Sequence, residues 1–359
     1  VIIKIKILRS FMPNKSLNQI KFIASIFVVL LHTSMFRYVN QTGFVFDYIV
    51  DTIARFGVPI FFSISGYFLY SKYRDGGKKY WLNYVKKILW LHLWVGFIYQ
   101  VAVLTEIKLK GGIVPPSFFD SMHIINSFLY GGLHTHLWYL SSLAFAVTVL
   151  FIASRFKLEK PLFYIGLILN IIGTFGNTEI YAPISYNTQM FFFKFFNHFG
   201  LHLSPTGFPS RNGFFFALPY VMMGYFIAQT KLHEKINLNK NKLFGLISLF
   251  ILLQITERSA AVLLLKSSQG SNFFISTLPL VFFIMILGLK ETDLFPKLNS
   301  ISGKSLNIYL WHPMGMIIFA NILKTFTNEK EILFSLLFTP LIIASILFFP
   351  SFKKLKLAK

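Results

Sequence analysis

The chain is 359 residues long, 55% hydrophobic and only 13% charged, with a mean hydropathy of +0.61. Those values fit a polytopic membrane protein and exclude a soluble core of this length. The net charge of +22 comes from Lys and Arg that alternate between loops, which excludes a nucleic-acid surface, and the absence of cysteine excludes disulfides, thiolate metal sites and a cysteine nucleophile.

Apolar stretches near the length a bilayer requires are expected to cross the membrane at about 19–38, 52–70, 84–104, 138–154, 161–176, 213–230, 242–256, 273–289, 303–323 and 332–349. An even number of crossings puts both termini on one side. Placing them in the cytoplasm leaves most of the 35 Lys and Arg residues in cytoplasmic loops, as the positive-inside rule requires. The expected fold is therefore all-α and polytopic, with about ten transmembrane helices in a single membrane-embedded domain over 1–359 and both termini cytoplasmic. The spans at 161–176 and 242–256 are the shortest, with room for tilt or local thinning. The first run is too long for a cleavable signal, carries Lys21 and His32 and lacks a small-residue cleavage pattern, so it is expected to remain in the mature chain.

That first run is interrupted by a titratable imidazole. Ionisable groups at membrane depth are costly and usually face a cavity, a substrate path or a partner. Lys21 and His32 are eleven residues apart, which on a helix is about 16 Å of rise and a return to within roughly 20° of the same face. The second span holds Gly57, Pro59, Ser63, Ser65 and Gly66, small residues that suit close helix packing, with Ser65 and Gly66 also near enough to the cytoplasmic end to meet a bound donor. At its outer end Arg55 is one turn from Asp51, as in an ion pair of helix neighbours.

Lys72, Arg74, Lys78, Lys79, Lys86 and Lys87 form the densest basic cluster, suited to topology, to anionic lipid or to a phosphorylated cytosolic ligand. His92 falls within the third span and His136 opens the fourth beside Trp138, where an interfacial belt competes with a functional role. Arg211 and Asn212 precede the sixth. Glu257, beside Arg258, is either half of an interfacial pair or a carboxylate that orients a histidine. His312 lies just before Pro313, which frees the carbonyl of Tyr309, so the imidazole can satisfy a local polar notch. His134 with His136 and His198 with His202 lack a third ligand at diagnostic spacing, and no metal is expected.

Four segments carry a resemblance: Lys21 and His32 with ten residues between them; Val-Pro-Ile-Phe-Phe-Ser-Ile-Ser-Gly-Tyr at 58–67; His136-Leu-Trp138-Tyr-Leu; and Ser305-Leu-Asn-Ile-Tyr-Leu-Trp-His312-Pro. In their order and layout they make the chain resemble the acyltransferase 3 family of bacterial integral membrane proteins, most of all its small single-domain O-acetyltransferase members. The resemblance implies transfer of an acyl group, usually acetyl, from cytosolic acyl-CoA to a hydroxyl of an envelope glycan or glycolipid. It places the chain in the bacterial inner membrane as a multi-pass protein, with acetyl-CoA or another acyl-CoA as cosubstrate, membrane lipids around it and no tightly bound cofactor. The family's arginines stand here as Lys21, Lys86 and Lys87, which keep the charge and lose the bidentate fork.

Such a transfer needs a base for the hydroxyl proton, donors for the oxyanion and a path joining two compartments. His32 is the candidate base or an acyl-histidine relay, with Glu257 to orient it. Lys21, Ser65, Gly66, Lys72, Arg74, Lys78, Lys79, Lys86 and Lys87 are candidates for the donor side. Arg55, His136, Trp138, Arg211 and Asn212 are candidates for the acceptor side, and His92 and His312 are the remaining polar groups within spans. A glycan exporter, or an amino-acid uptake domain like those fused to racemases, would use the same cavity without an acyl donor.

Overall fold

The computed structural model describes residues 14–34, 36, 41–128, 132–175, 212–265, 274–326, 339–343 and 346, with the side chains of 73–75, 117, 122, 123, 126 and 320–326 left aside. Regular structure among them is entirely helical. That is what lipid demands of an open chain, since only helices meet every backbone group internally.

The main helices are α1 (Lys15–Thr33), α2 (Gln41–Ala54), α3 (Gly57–Leu109), α4 (Trp138–Arg155), α5 (Glu159–Phe175), α6 (Leu218–Thr230), α7 (Lys240–Leu265), α8 (Thr277–Lys290) and α9 (Ser305–Phe326). Among the described residues six stretches are long and apolar enough to cross a membrane: Lys15–Thr33, Gln41–Lys72, Gly76–Leu109, Thr135–Arg155, Gly213–Thr230 and Lys240–Leu264. Helix α3 contains two of the expected spans, which meet at Gly77 (φ 55°, ψ −149°), a backbone geometry open to glycine. The expected spans at 161–176 and 273–289 are α5 and α8, of 17 and 14 residues. The last expected span, 332–349, lies mostly outside the described residues.

Two elements differ from the sequence expectation. Helix α2 occupies a segment read as a loop, and it stops where Pro59 cannot donate to the carbonyl of Arg55. Helix α7 runs to Leu265, past Glu257 and Arg258 at which the apolar run ends. Those charges do not break it, because Glu257 satisfies the backbone of a neighbouring segment described below.

The chain divides into two compact units, residues 1–57, 236–245 and 283–359, and residues 58–235 and 246–282. In the first, α1 packs on α2 and α9 around Phe22, Val29, Ile308, Ile342 and Ile346, with Ile26, Trp311 and Met316 at the edge. Phe22, Ile26 and Val29 recur at helical spacing, so one stripe of α1 makes this contact. The start of α1 is tied down by polar groups. Asn14 caps it, accepting from Leu17 N at 2.9 Å and donating to Gly288 O at 3.0 Å. Gln19, fully buried, donates to Asp293 Oδ1 (2.5 Å) and Asn299 Oδ1 (2.8 Å) and accepts from Phe295 N (2.9 Å).

In the second unit α3 and α6 cross at contact distance. A Cβ on Gly66 would stand 2.0 Å from Val221 O, and one on Gly224 would stand 1.8 Å from Ser63 O. The two glycines therefore let the helix backbones touch, the usual device where lipid supplies no hydrophobic drive between helices. Around the crossing, Phe62 meets Tyr139 at 4.5 Å, Trp138 meets Phe216 at 5.5 Å and Phe163 stacks on Phe226 at 4.4 Å. Trp90, Leu93, Trp94 and Phe97 on α3 and Leu249, Leu252 and Leu253 on α7 form exposed apolar surface, as suits a helix that crosses a membrane.

Two outcomes are expected. Gly224→Ala has to displace a backbone carbonyl, and overpacking of this kind costs about 1–3 kcal/mol; a thermal midpoint in detergent equal to wild type would show that the helices are not in contact there. Hydrogen bonds from Gln19 and then Asn299, with Lys15 at 3.6 Å, hold Asp293 below its usual 3.8. A lowered carboxyl stabilises the fold fully above the unfolded value and loses that contribution as pH falls from about 4 through the native value. Acid unfolding should thus begin in that window, and Asp293→Asn should flatten the dependence.

Candidate functional site

Helix α1 ends where Ser34 turns into the left-handed region (φ 44°, ψ 50°) and its N–H closes on Leu30 O. His32 therefore sits, exposed, in the last turn, where the helix dipole favours a cation. Its ring stacks on that of His312 from α9, centroids 5.2 Å apart and planes 27° from parallel.

His312 is fully buried. Its Nδ1 lies 2.8 Å from Tyr309 O and 3.1 Å from Ile308 O. Carbonyl oxygens only accept, so Nδ1 carries the proton. The carbonyl of Tyr309 is the one that Pro313 cannot cover, and the imidazole fills the expected notch. One residue beyond His32, Thr33 Oγ1 is 2.6 Å from Thr339 Oγ1 while donating back to Val29 O. That contact pins the end of α1 beside the histidine pair. Neither threonine carried a sequence signal, since their meeting depends on a pairing more than three hundred residues apart.

Also in the first unit, Lys21 is half-buried on the unbroken helix that carries His32. Arg55 Nη2 holds both oxygens of Asp51, at 2.8 and 3.0 Å, so the helix-neighbour ion pair is formed.

In the second unit, Ser65 Oγ donates to Phe61 O at 2.8 Å. Gly66 belongs to the α3–α6 crossing. Lys72, Lys78, Lys79, Lys86 and Lys87 are all exposed on either side of the bend at Gly77; the side chain of Arg74 lies outside the description. The bend thus presents a basic surface suited to an anion.

His92 Nε2 accepts from Leu133 N at 3.1 Å while Gln100 donates to Leu133 O, so the two side chains clamp the peptide groups on either side of Leu133 in the loop before α4. Buried His136 and its neighbour His134 share a hydrogen bond between their Nδ1 atoms at 2.8 Å, and both rings pack on Tyr99. One of the two must accept, and burial pulls His134 below the usual histidine range. Trp138 starts α4 against Phe62. Asn212 Oδ1 accepts from Phe214 N and Phe215 N, which caps the π-helical turn leading into α6; Arg211 lies outside the described residues. Glu257 accepts from Ile275 N (2.7 Å), Ser276 N (3.1 Å) and Ser276 Oγ (2.7 Å), which fastens α7 to the start of α8.

A family model described as acyltransferase domain, of acyltransferase 3 type, matches residues 14–351. An amino-acid racemase of Enterococcus faecalis is 31% identical over 220 residues, 60% of this chain and 28% of its own length. A serine/alanine racemase of Enterococcus gallinarum is 29% identical over 249 residues, 67% of this chain and 33% of its own. The chain thus spans about a third of the length of these curated relatives. No solved structure matches.

The two roles open to Glu257 separate by experiment. Glu257→Ala should lower the thermal midpoint, because it leaves N–H groups at the start of α8 unmet at about 1–3 kcal/mol, and Glu257→Gln, which retains an acceptor, should recover much of it. A Gln variant as stable as wild type but inactive would instead point to the carboxylate charge.

Proposed function

The chain belongs to the acyltransferase 3 family, and on that premise we propose that it transfers an acyl group, acetyl in the simplest case, from cytosolic acyl-CoA to a hydroxyl of a cell-envelope glycan or glycolipid. The observation that carries this reading is His32: an accessible imidazole at the end of a membrane-crossing helix, backed by a buried, hydrogen-bonded ring. An imidazole titrates near neutrality and can take the acceptor's hydroxyl proton as the oxygen attacks the thioester carbonyl. Collapse of the tetrahedral adduct breaks the C–S bond, and the departing thiolate recovers the proton from the imidazolium. In the relay form His32 itself takes the acyl group from sulfur and passes it to the hydroxyl.

The exposed lysines around Gly77 suit the donor's phosphates as point charges, with Lys21 a further cation on the helix of His32. His136 and Trp138 offer imidazole and aromatic surface of the kind that sugars favour. The protein works as a multi-pass component of the bacterial inner membrane, with ten crossings and both termini in the cytoplasm, an arrangement supported by the basic residues of alternate loops.

The racemase relatives favour a second reading, in which a domain of this kind handles an amino acid and uses His32 for binding or proton coupling. Incubating the purified protein in lipid with radiolabelled acetyl-CoA and an envelope glycolipid extract decides between them. Label should enter the glycolipid with wild type and fall about 10²-fold or more in His32→Ala. Uptake of labelled serine or alanine into proteoliposomes, without acyl transfer or coenzyme A binding, would replace this reading with the second.

A further inference from the structure

From the histidine pair, and resting on the acyl-transfer reading, we infer that His312 is the positioning residue for His32, a buried ring locked to the backbone that fixes the plane and direction of the catalytic imidazole.

The notch at Tyr309 needs only a hydrogen-bond donor, and a serine, threonine or asparagine in the turn could supply one. A histidine supplies a donor and also a flat face. The donor is used on Tyr309 O and Ile308 O, so rotation of the ring would forfeit both contacts. The face is used on His32, 5.2 Å away. The buried cluster that holds Val29 and Ile308, and the contact of Thr33 with Thr339, secure the end of α1 that carries His32. His312 therefore offers His32 a flat ring face held in place by two backbone carbonyls. Base placement matters at this scale, because a displacement of about 1 Å at a reacting centre can cost on the order of 10²-fold in rate.

The test compares wild type, His32→Ala, His312→Ala, His312→Asn and His312→Phe in lipid, with labelled acetyl-CoA and envelope glycolipid extract. His312→Ala and His312→Asn should lower kcat by about 10- to 10²-fold with KM for acetyl-CoA unchanged within about twofold. His312→Phe restores the face without the donor; it should regain kcat over His312→Ala even if its thermal midpoint is lower. An unchanged kcat in His312→Ala, a loss confined to KM, or a Phe variant no better than Ala would each overturn the positioning role while leaving the role of His32 intact.

Nitrogen-15 spectra of histidine-labelled wild type provide a check that needs no folded variant. The Nδ1–H form at His312 and ring proximity to His32 are expected, and their absence overturns the inference. A wild type that transfers no acyl group sinks the acyl-transfer reading itself and this role with it, an outcome distinct from an active wild type and an unaffected His312→Ala.

Discussion

A membrane interior leaves no backbone carbonyl without a donor, and the first unit is organised around one such carbonyl. Pro313 has no N–H to offer Tyr309 O, so the helix that carries it must find a donor elsewhere. His312 meets the need from the adjacent position, which buries the imidazole and fixes its tautomer. A ring held in this way becomes part of the wall, and the end of α1 is built against it. The stack with His32, the buried cluster that holds Val29 and Ile308, and the contact of Thr33 with Thr339 then secure the end of α1.

The second unit obeys the same rule by other means. Lipid tails are as apolar as the helices they surround, so association depends on close approach. Gly66 and Gly224 bring α3 and α6 together until each backbone touches the other. Where the helices end, side chains supply what the backbone lacks: Glu257 for the start of α8, Asn212 for the turn before α6, and His92 with Gln100 for the peptide groups at Leu133. A polar residue at membrane depth can thus be held by a neighbouring peptide group, as His92 is at Nε2, while His32 is exposed and stacks on another imidazole.

How far the sequence revealed this follows from how local each cause is. The long apolar first run and the eleven-residue spacing of Lys21 and His32 were legible because helix geometry is local. The polar notch at His312 was legible for the same reason, since the consequence of a proline falls four residues earlier on the same helix. The ion pair of Arg55 with Asp51 is one helical turn and was equally visible. Glu257 was not, because its three donors belong to residues 275 and 276, and nothing around position 257 announces them. Gly66 was readable as a small packing residue, but its partner Val221 lies in another helix. The extension of α7 through Glu257 and Arg258 was missed because a charged pair normally marks the end of a span; here the charge is absorbed by protein contacts.

His32 and His312 are the same residue type in two environments, and environment divides their work. A base must gain and lose a proton and must reach solvent or substrate to do so. His312 is fully buried and held on Tyr309 O, while His32 is exposed at the end of α1. The buried ring is fixed by the backbone and the exposed ring stacks on it, so the pair joins a rigid face to an accessible one.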